Sequence, residues 1–162
     1  MSTQTTYYQS PIGIIEITAD EDGITSLYFV DEKTKPNNKT NSLLKECVTQ
    51  LEEYFNGIRK DFGLKLSPQG TDFQKRVWTQ LETIPFGKTV SYLDVSVMLG
   101  DANATRAVGN ANGSNPISII IPCHRVIGVN GKLVGYGGGL WRKEWLLNHE
   151  RSIVFGKQTQ LF

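Results

Sequence analysis

Cys123 and His124 are adjacent residues whose side chains together have the chemistry of a nucleophile and its base. They follow Pro122, at the end of an apolar run over residues 117–121. A free cysteine has a pKa near ~8.5 and only its thiolate is a good nucleophile, so a working site needs a base or a positive charge near the sulfur. Consecutive side chains on an extended backbone point to opposite faces, so we expect a water molecule to link Cys123 and His124.

A carboxylate commonly orients the base of such a pair, and two candidates lie downstream. Residues 140–150 have the pattern of a helix and contain both Glu144 and Glu150. The residue pattern alone does not choose between them.

The second cysteine, Cys47, lies on the apolar stripe of a predicted helix. A small buried side chain is therefore favoured over a reactive thiol. The chain has two cysteines and two histidines, too few to favour a zinc site, and the wide separation of Cys47 and Cys123 argues against a structural disulfide. We expect two reduced thiols and no bound metal.

The composition is that of a folded chain with room for one ordinary domain or two small ones. The 162 residues are 39% hydrophobic, and no apolar run approaches the roughly 20 residues that a membrane span needs. We expect a cytoplasmic protein without membrane contact. Residues 1–66 carry seven Lys/Arg against ten Asp/Glu, a net charge of −3, and residues 67–162 carry ten against six, a net charge of +4. A basic C-terminal half is compatible with a phosphate-bearing partner.

Two β-rich runs and a helical run predict a small α/β domain at the N-terminus. Apolar residues within 12–17 and 24–29 flank Asp20-Glu21-Asp22-Gly23, a turn sequence that predicts a β-hairpin. Apolar residues then recur at helical spacing over 43–55, and Gly57 ends that helix.

Phe62, Leu64 and Leu66 alternate with other residues, which predicts one more strand. Residues 67–70 have the composition of a linker. We therefore expect an N-terminal α/β domain over 1–66 and a mainly helical C-terminal domain over 71–162.

A helix is predicted directly after the linker, because Thr71-Asp72-Phe73-Gln74 fits a capping box. The turn sequence Pro85-Phe86-Gly87 ends it. The expected core face of this helix comprises Phe73, Val77, Trp78, Leu81 and Ile84.

Two further helices predict a helix-turn-helix unit. Ser91 to Asp94 repeats the cap pattern, residues 93–99 form a short helix, and Gly100 permits a turn into a second helix over 102–112. The second helix is rich in Ala and Gly, with Arg106 as its one cation, so it would approach a groove closely but read few base edges. If it binds DNA, we expect little sequence preference and a fit to the minor groove. Close helix packing is the alternative use of such small residues.

The residues around Cys123 complete the predicted site. Residues 117–121 are interpreted as a short buried strand that ends at Pro122. Residues 135–139 form a glycine-rich loop where backbone would lie close to a flat substrate, and the loop lacks the Lys-Ser/Thr ending of a phosphate-binding loop.

Several separated motifs together resemble the O6-alkylguanine-DNA alkyltransferase family. The similarity extends from about residue 71 to residue 150, in order and spacing, and is loose over the first 60 residues. The motifs are Val90-Ser91-Tyr92, Arg106-Ala107-Val108-Gly109, Asn115-Pro116, Pro122-Cys123-His124-Arg125-Val126, the glycine-rich loop, Lys143-Glu144-Trp145-Leu146-Leu147 and His149-Glu150.

The resemblance implies a suicide repair protein that flips an O6-alkylated guanine out of the duplex and moves the alkyl group to Cys123. It implies that Glu150, rather than Glu144, orients His124. Tyr92 would donate a proton or hydrogen bond as guanine leaves, and Asn115 would brace the site. Arg106 would fill the gap that the extruded base leaves.

The resemblance also implies the surroundings of these residues. DNA would contact Arg106, Tyr92, Ala107 and Gly109, and the substrate pocket would be formed by Tyr136, Gly137, Pro122 and Val126. Some members of the family have Ser where this chain has Gly137, and a backbone N–H is the expected substitute for that hydroxyl. The zinc site of some relatives has no ligands here, because residues 1–66 contain one Cys and no His.

The implied fold is an α/β N-terminal domain followed by a C-terminal helix-turn-helix, winged-helix-like domain. The implied substrates are double-stranded DNA with O6-alkylguanine and, as a second class, O4-alkylthymine. We expect a monomer that needs no cofactor.

Two other functions are compatible with parts of the pattern. A cysteine hydrolase could use Cys123 and His124, and would show acylation with multiple turnover. A non-catalytic DNA-binding sensor or regulator could use the helix-turn-helix. The presence of Cys123 argues against a sensor, and the Ala/Gly-rich second helix argues against a sequence-specific regulator.

Overall fold

The structure is a computed structural model that describes residues 2–38 and 41–156. The chain divides into two compact units, Met1–Gln69 and Gly70–Phe162. Of the helices in the described ranges, none has the length and apolar character needed to cross a membrane.

The first unit is built on a three-stranded antiparallel sheet with β1 (Gln4–Ser10), β2 (Gly13–Asp20) and β3 (Gly23–Val30) in sequential order. The predicted hairpin is confirmed as β2 and β3, with Asp20 opposite Gly23. The Asp20 side chain accepts the backbone N–H groups of Asp22 and Gly23, which fixes the turn. The sequence analysis did not identify β1.

Helix α1 (Ser42–Phe55) packs against this sheet and confirms the helix predicted over 43–55. Asn41 caps its first turn by accepting the Leu44 N–H. Cys47 is fully buried on the inner face, as predicted.

The strand predicted at Phe62, Leu64 and Leu66 is wrong. The amide side chain of Gln50 on α1 hydrogen-bonds both to the N–H of Gly63 (2.9 Å) and to its carbonyl (3.1 Å), in the place of a neighbouring strand. Leu66 alone forms an isolated parallel bridge, to Ile24.

The second unit begins with α2 (Asp72–Leu81), α3 (Tyr92–Met98) and α4 (Thr105–Gly113). Both predicted capping boxes are confirmed, at Thr71 and at Ser91. Gly100 has φ +88 between α3 and α4, a conformation that glycine adopts without steric cost. The helix-turn-helix is therefore confirmed, with its second helix entered through a 3₁₀ turn at Ala102–Ala104.

Packing among these three helices uses both apolar and polar contacts. Trp78 on α2 is buried and its indole N–H donates to the Ala111 carbonyl on α4 at 2.8 Å. The Ser96 hydroxyl on α3 donates to that of Thr105 on α4 at 3.3 Å. Small residues on α4 thus allow close helix packing on one face, while Arg106 and Ala107 remain exposed on another.

The strand predicted over residues 117–121 is also wrong, although most of this segment is buried. It forms local turns, with hydrogen bonds from Ile120 N–H to the Ser118 carbonyl and from Ile121 N–H to the Ile117 carbonyl. Ile119 has φ +72, an uncommon conformation for a β-branched residue. These local bonds replace the ladder that a strand would form.

Two two-residue strands and a long helix complete the unit. β4 (Val90–Ser91) pairs in parallel with β5 (Val126–Ile127). A 3₁₀ turn at Cys123–Arg125 directly precedes β5, and α5 (Leu140–Phe155) follows the glycine-rich loop.

Candidate active site

The short β4–β5 ladder brings Tyr92 and Cys123 to the same cavity. Val90 pairs with Val126 and Ser91 with Ile127 in parallel, so the ladder joins the segment that leads into Tyr92 to the segment that follows Cys123. Tyr92 begins α3 and Cys123 begins the 3₁₀ turn. Both side chains line one cavity, although the two residues lie more than 30 positions apart in the chain.

Cys123 lines a cavity of about 590 Å³. Its side chain is 6% exposed, so the sulfur is accessible from the cavity rather than from bulk solvent. The other lining residues are Tyr92, Thr105, Gly109, Asn112, Gly113, Asn115, Ser118, Val134, Gly135, Tyr136 and Gly137. This volume lies in the range of small-molecule sites, roughly 300–1,000 Å³, and suits a planar base with a substituent.

His124 and Glu150 form a fully buried pair beside the cysteine. Nε2 of His124 lies 2.7 Å from Oε2 of Glu150, and both side chains are 0% exposed. Because the ionised carboxylate can only accept, Nε2 carries the proton and Nδ1 is left with a lone pair. Nδ1 is buried and has no hydrogen-bond partner in the described part of the chain. Burial lowers the pKa of His124, which favours the neutral form.

Arg125 binds the same carboxylate, a contact that the sequence analysis did not identify. Its Nε donates to Oε1 of Glu150 at 2.8 Å and its Nη2 to Oε2 at 3.0 Å, while Nη1 donates to the Ile84 carbonyl at 2.7 Å. The Gly87 N–H also donates to Oε1 of Glu150. Burial raises the pKa of Glu150, but His124 and Arg125 lower it by more, so the carboxyl is ionised with a pKa well below its usual range.

The alternative carboxylate, Glu144, takes no part in this cluster. It lies on the same helix as Glu150 and is half-buried, but no hydrogen bond joins it to His124 among the bonds found in the described ranges. The motif in which Arg125 stands was visible in the sequence, but its bond to Glu150 crosses 25 residues and has no local signal.

Burial raises the pKa of the Cys123 thiol. A hydrogen bond from Asn115 and the charge of Lys143 oppose this shift but do not reverse it. The sulfur is therefore a thiol at neutral pH, and a reaction at Cys123 requires a route by which its proton leaves.

Asn115 fixes the turn that leads to Cys123. Its Nδ2 donates to the Ile121 carbonyl at 2.8 Å and its Oδ1 accepts the Ile117 N–H at 3.0 Å. One side chain thus ties both ends of the segment that the sequence predicted as a strand.

Tyr92 and the glycine-rich loop form the opposite wall. The Tyr92 hydroxyl donates to the Val134 carbonyl at 3.0 Å. Burial, and then the neighbouring Cys123, raise the pKa of Tyr92 and, more strongly, that of Tyr136, so both phenols stay protonated. A Cβ built at Gly137 would have no atom within 4 Å, so the missing side chain there leaves open space in the cavity wall.

Lys143 holds this loop in place and was missed as a site residue. Its side chain is fully buried, and Nζ donates to the carbonyls of Val126, Val134 and Gly135 at 2.7, 2.9 and 3.3 Å. Burial lowers the pKa of Lys143 to about 8. The bonds connect β5 to two residues that line the cavity, Val134 and Gly135.

Two predicted pocket residues need correction. Among the described residues, neither Pro122 nor Val126 belongs to the cavity lining. Both are buried behind Cys123, and Val126 is in the ladder with Val90, with its carbonyl bound by Lys143.

The predicted DNA contacts lie on or next to α4. Arg106 and Ala107 are exposed, and Gly109 lines the cavity, where an added Cβ would lie 3.9 Å from Cδ1 of the Tyr92 ring. An exposed cation thus lies one helical turn from the cavity mouth. In the described ranges, no group of three His, Cys, Asp or Glu side chains is placed to hold a metal ion.

Comparisons with known proteins match both units. Residues 72–152 match the DNA-binding domain of 6-O-methylguanine DNA methyltransferase, and residues 4–68 match the ribonuclease-like domain of the same family. A methylated-DNA–protein-cysteine methyltransferase of Methanosarcina acetivorans is 47% identical over 150 residues, which cover 90% of this chain and 96% of that protein. One of Mycobacterium leprae is 45% identical, with 93% of each chain covered.

Solved structures agree with these matches. The crystal structure of Mycobacterium tuberculosis O6-methylguanine methyltransferase superposes with a TM-score of 0.84 at 42% identity, and covers 93% of this chain and 94% of that chain. The crystal structure of Mycobacterium tuberculosis OGT in complex with DNA gives a TM-score of 0.86 at the same identity and coverage.

Proposed function

This chain belongs to the 6-O-methylguanine DNA methyltransferase family, and from that premise we propose that it repairs DNA by moving the alkyl group of an O6-alkylated guanine to the sulfur of Cys123. O4-alkylthymine is the second substrate class. The single observation that carries the proposal is the position of Cys123 in a base-sized cavity beside the buried His124–Glu150 pair.

The proton of the thiol leaves through His124. Glu150 holds the Nε2–H, so Nδ1 is the atom that accepts a proton, and a bridging water passes it from Sγ. Arg125 keeps Glu150 ionised and fixed in position, so the acid orients the base without itself taking the proton.

The thiolate then attacks the alkyl carbon, the S–C bond forms and the C–O6 bond breaks, with the electron pair moving to the guanine ring. Tyr92 lies on the cavity wall with a protonated hydroxyl, and when this hydroxyl turns from the Val134 carbonyl to the purine its hydrogen bond stabilises the departing base. The thiol loses one proton through His124 and the guanine gains one as it leaves, so the number of protons is unchanged overall. A thioether has no easily expelled group, so each protein molecule acts once.

The target base is inside a duplex and must be extruded to reach the cavity. Arg106 is exposed one turn of α4 from Gly109 at the cavity wall, which suits a side chain that fills the gap in the base stack. Ala107 and Gly109 keep the helix thin enough to enter the minor groove with little sequence preference. The DNA complex of the Mycobacterium tuberculosis relative supports DNA as the partner.

We assign DNA binding and alkyl transfer to the C-terminal domain predicted over 71–162, and a supporting role to the N-terminal domain. Because one subunit supplies every residue of the mechanism, we propose that the protein acts as a monomer. We also propose a cytoplasmic location, because the protein has to reach DNA inside the cell.

The test is a titration of a duplex containing O6-methylguanine with limiting amounts of protein, followed by nucleoside analysis of the DNA. We expect one lesion to be lost per protein molecule, with no further loss on longer incubation. Cys123→Ser should bind the lesion and remove none. Continued turnover would contradict alkyl transfer to the protein and would support a hydrolase.

A further inference from the structure

Asn112 is a polar residue of α4 that lines the cavity between two glycines of the same helix. Thr105, Gly109, Asn112 and Gly113 form the face of α4 that lines the cavity. Asn112 is 6% exposed, so its carboxamide is removed from bulk water. Thr105 lies two turns earlier, and its hydroxyl is already bonded to the Ala102 carbonyl.

The carboxamide oxygen of Asn112 has no hydrogen-bond partner among the residues that the structure describes. Its Nδ2 reaches the Cys123 carbonyl at 3.5 Å, the long limit of a hydrogen bond, and its Oδ1 is buried with no partner among the described residues. Asn115 in the same wall has both ends of its amide bound, to Ile121 and Ile117. An unpaired buried acceptor is costly, so it indicates a ligand group that pairs with it.

The chemistry of the lesion identifies that group. Alkylation at O6 removes the N1 proton of guanine, which leaves N1, N3 and N7 as acceptors. The exocyclic amino group at C2 is then the one N–H donor of the damaged base. The contact between Nδ2 and the Cys123 carbonyl places the amide against the residue that receives the alkyl group.

We propose that Asn112 is a specificity-determining residue whose Oδ1 accepts a hydrogen bond from the 2-amino group of the extruded O6-alkylguanine; this rests on the proposed function. An alkylated thymine presents a carbonyl oxygen at the corresponding edge, which would face Oδ1 as a second acceptor. Asn112 therefore favours alkylated guanine over alkylated thymine.

The test compares single-turnover transfer rates from two duplexes that differ by the amino group alone, one with O6-methylguanine and one with O6-methylhypoxanthine. The wild type should react about tenfold faster with O6-methylguanine, because a lost hydrogen bond to a buried acceptor has roughly that effect. In Asn112→Leu, which is similar in size and lacks the acceptor, the ratio of the two rates should fall to about one. Thr105→Val removes a different polar group from the wall and should keep the wild-type ratio.

A wild-type ratio near one, or an unchanged ratio in Asn112→Leu, would overturn this assignment while leaving alkyl transfer intact. Absence of transfer from both duplexes by the wild type would instead overturn the proposed function and this inference with it. If Asn112→Leu does not fold, Asn112→Ser serves in its place, because its shorter side chain withdraws the acceptor, and the same fall in ratio is expected.

Discussion

Arg125 donates hydrogen bonds to both carboxylate oxygens of Glu150, from Nε at 2.8 Å and from Nη2 at 3.0 Å. The adjacent His124 is hydrogen-bonded to the same carboxylate. The cation and the base therefore share one anion in a buried site. Burial lowers the pKa of His124 and so keeps it neutral, the charge of Arg125 acts in the same direction, and the shared carboxylate holds the ring in position.

Arg125→Lys is expected to slow transfer from free O6-benzylguanine by about tenfold, since lysine cannot hold both carboxylate oxygens in the fork geometry. The free energy of unfolding should fall by ~2 kcal/mol, because the buried carboxylate loses part of its bonding. Stopped-flow transfer rates and urea unfolding measure the two effects. Arg76→Lys, at an exposed arginine, is the matched control and should change neither. An unaltered transfer rate in Arg125→Lys would argue against the positioning role.

Arg106→Ala should reduce repair of O6-methylguanine in duplex DNA by at least about tenfold, because the base stack loses the group that fills its gap. Its rate with free O6-benzylguanine should remain that of the wild type. Lys75→Ala removes the same charge from an exposed site on α2 and controls for the general loss of phosphate attraction. Equal losses with DNA and with the free base would show that Arg106 does not act in extrusion.

Lys143→Met should loosen the loop that follows residue 132, because the carbonyls of Val126, Val134 and Gly135 lose a common donor. Hydrogen exchange over the loop should become faster, and transfer to Cys123 should slow by about tenfold as the cavity wall moves. Lys132→Met makes the same change at an exposed lysine and should leave both properties as they are. Unchanged exchange in Lys143→Met would mean that the three bonds do not hold the loop.

The buried thiol of Cys47 should make the protein less stable at high pH. Burial raises the pKa of Cys47 from 9.0 to about 12. Above pH 9 the unfolded chain loses this proton while the folded protein keeps it, so the folded state binds more protons and stability falls as pH rises. The wild type should lose about 1.4 kcal/mol of unfolding free energy per pH unit relative to Cys47→Ala between pH 9.5 and 11. A constant difference between the two proteins across this range would contradict the burial of an un-ionised thiol.

Local sequence patterns were sufficient to predict the helices. The hydrogen bonds between residues far apart in the chain became visible only in the structure. The capping residues Thr71 and Ser91 and the turn at Gly100 located the helices, because each acts within a few residues. The two wrong strands failed for a shared reason: a side-chain amide, Gln50 in one case and Asn115 in the other, satisfies the backbone that a ladder would have bound.

The residues of the candidate site also divide into those with a local signal in the sequence and those without one. Cys123 and His124 were identified from their types and adjacency, and the resemblance to a known family separated Glu150 from Glu144. Arg125 and Lys143 stood in the recognised motifs without a role, since the groups they bind lie 8 to 41 residues away. Their contribution is to hold other groups, which residue type does not reveal.

The central claim is that the sulfur of Cys123 is the final acceptor of the alkyl group, and peptide mass spectrometry tests it most directly. After incubation with a duplex containing O6-methylguanine, trypsin should release residues 107–125 as one peptide with Cys123 as its single thiol. We expect one methyl group per protein molecule on that peptide, with Cys47 unmodified. An unmodified Cys123 in protein that has removed the lesion, or methyl groups on another residue, would contradict it.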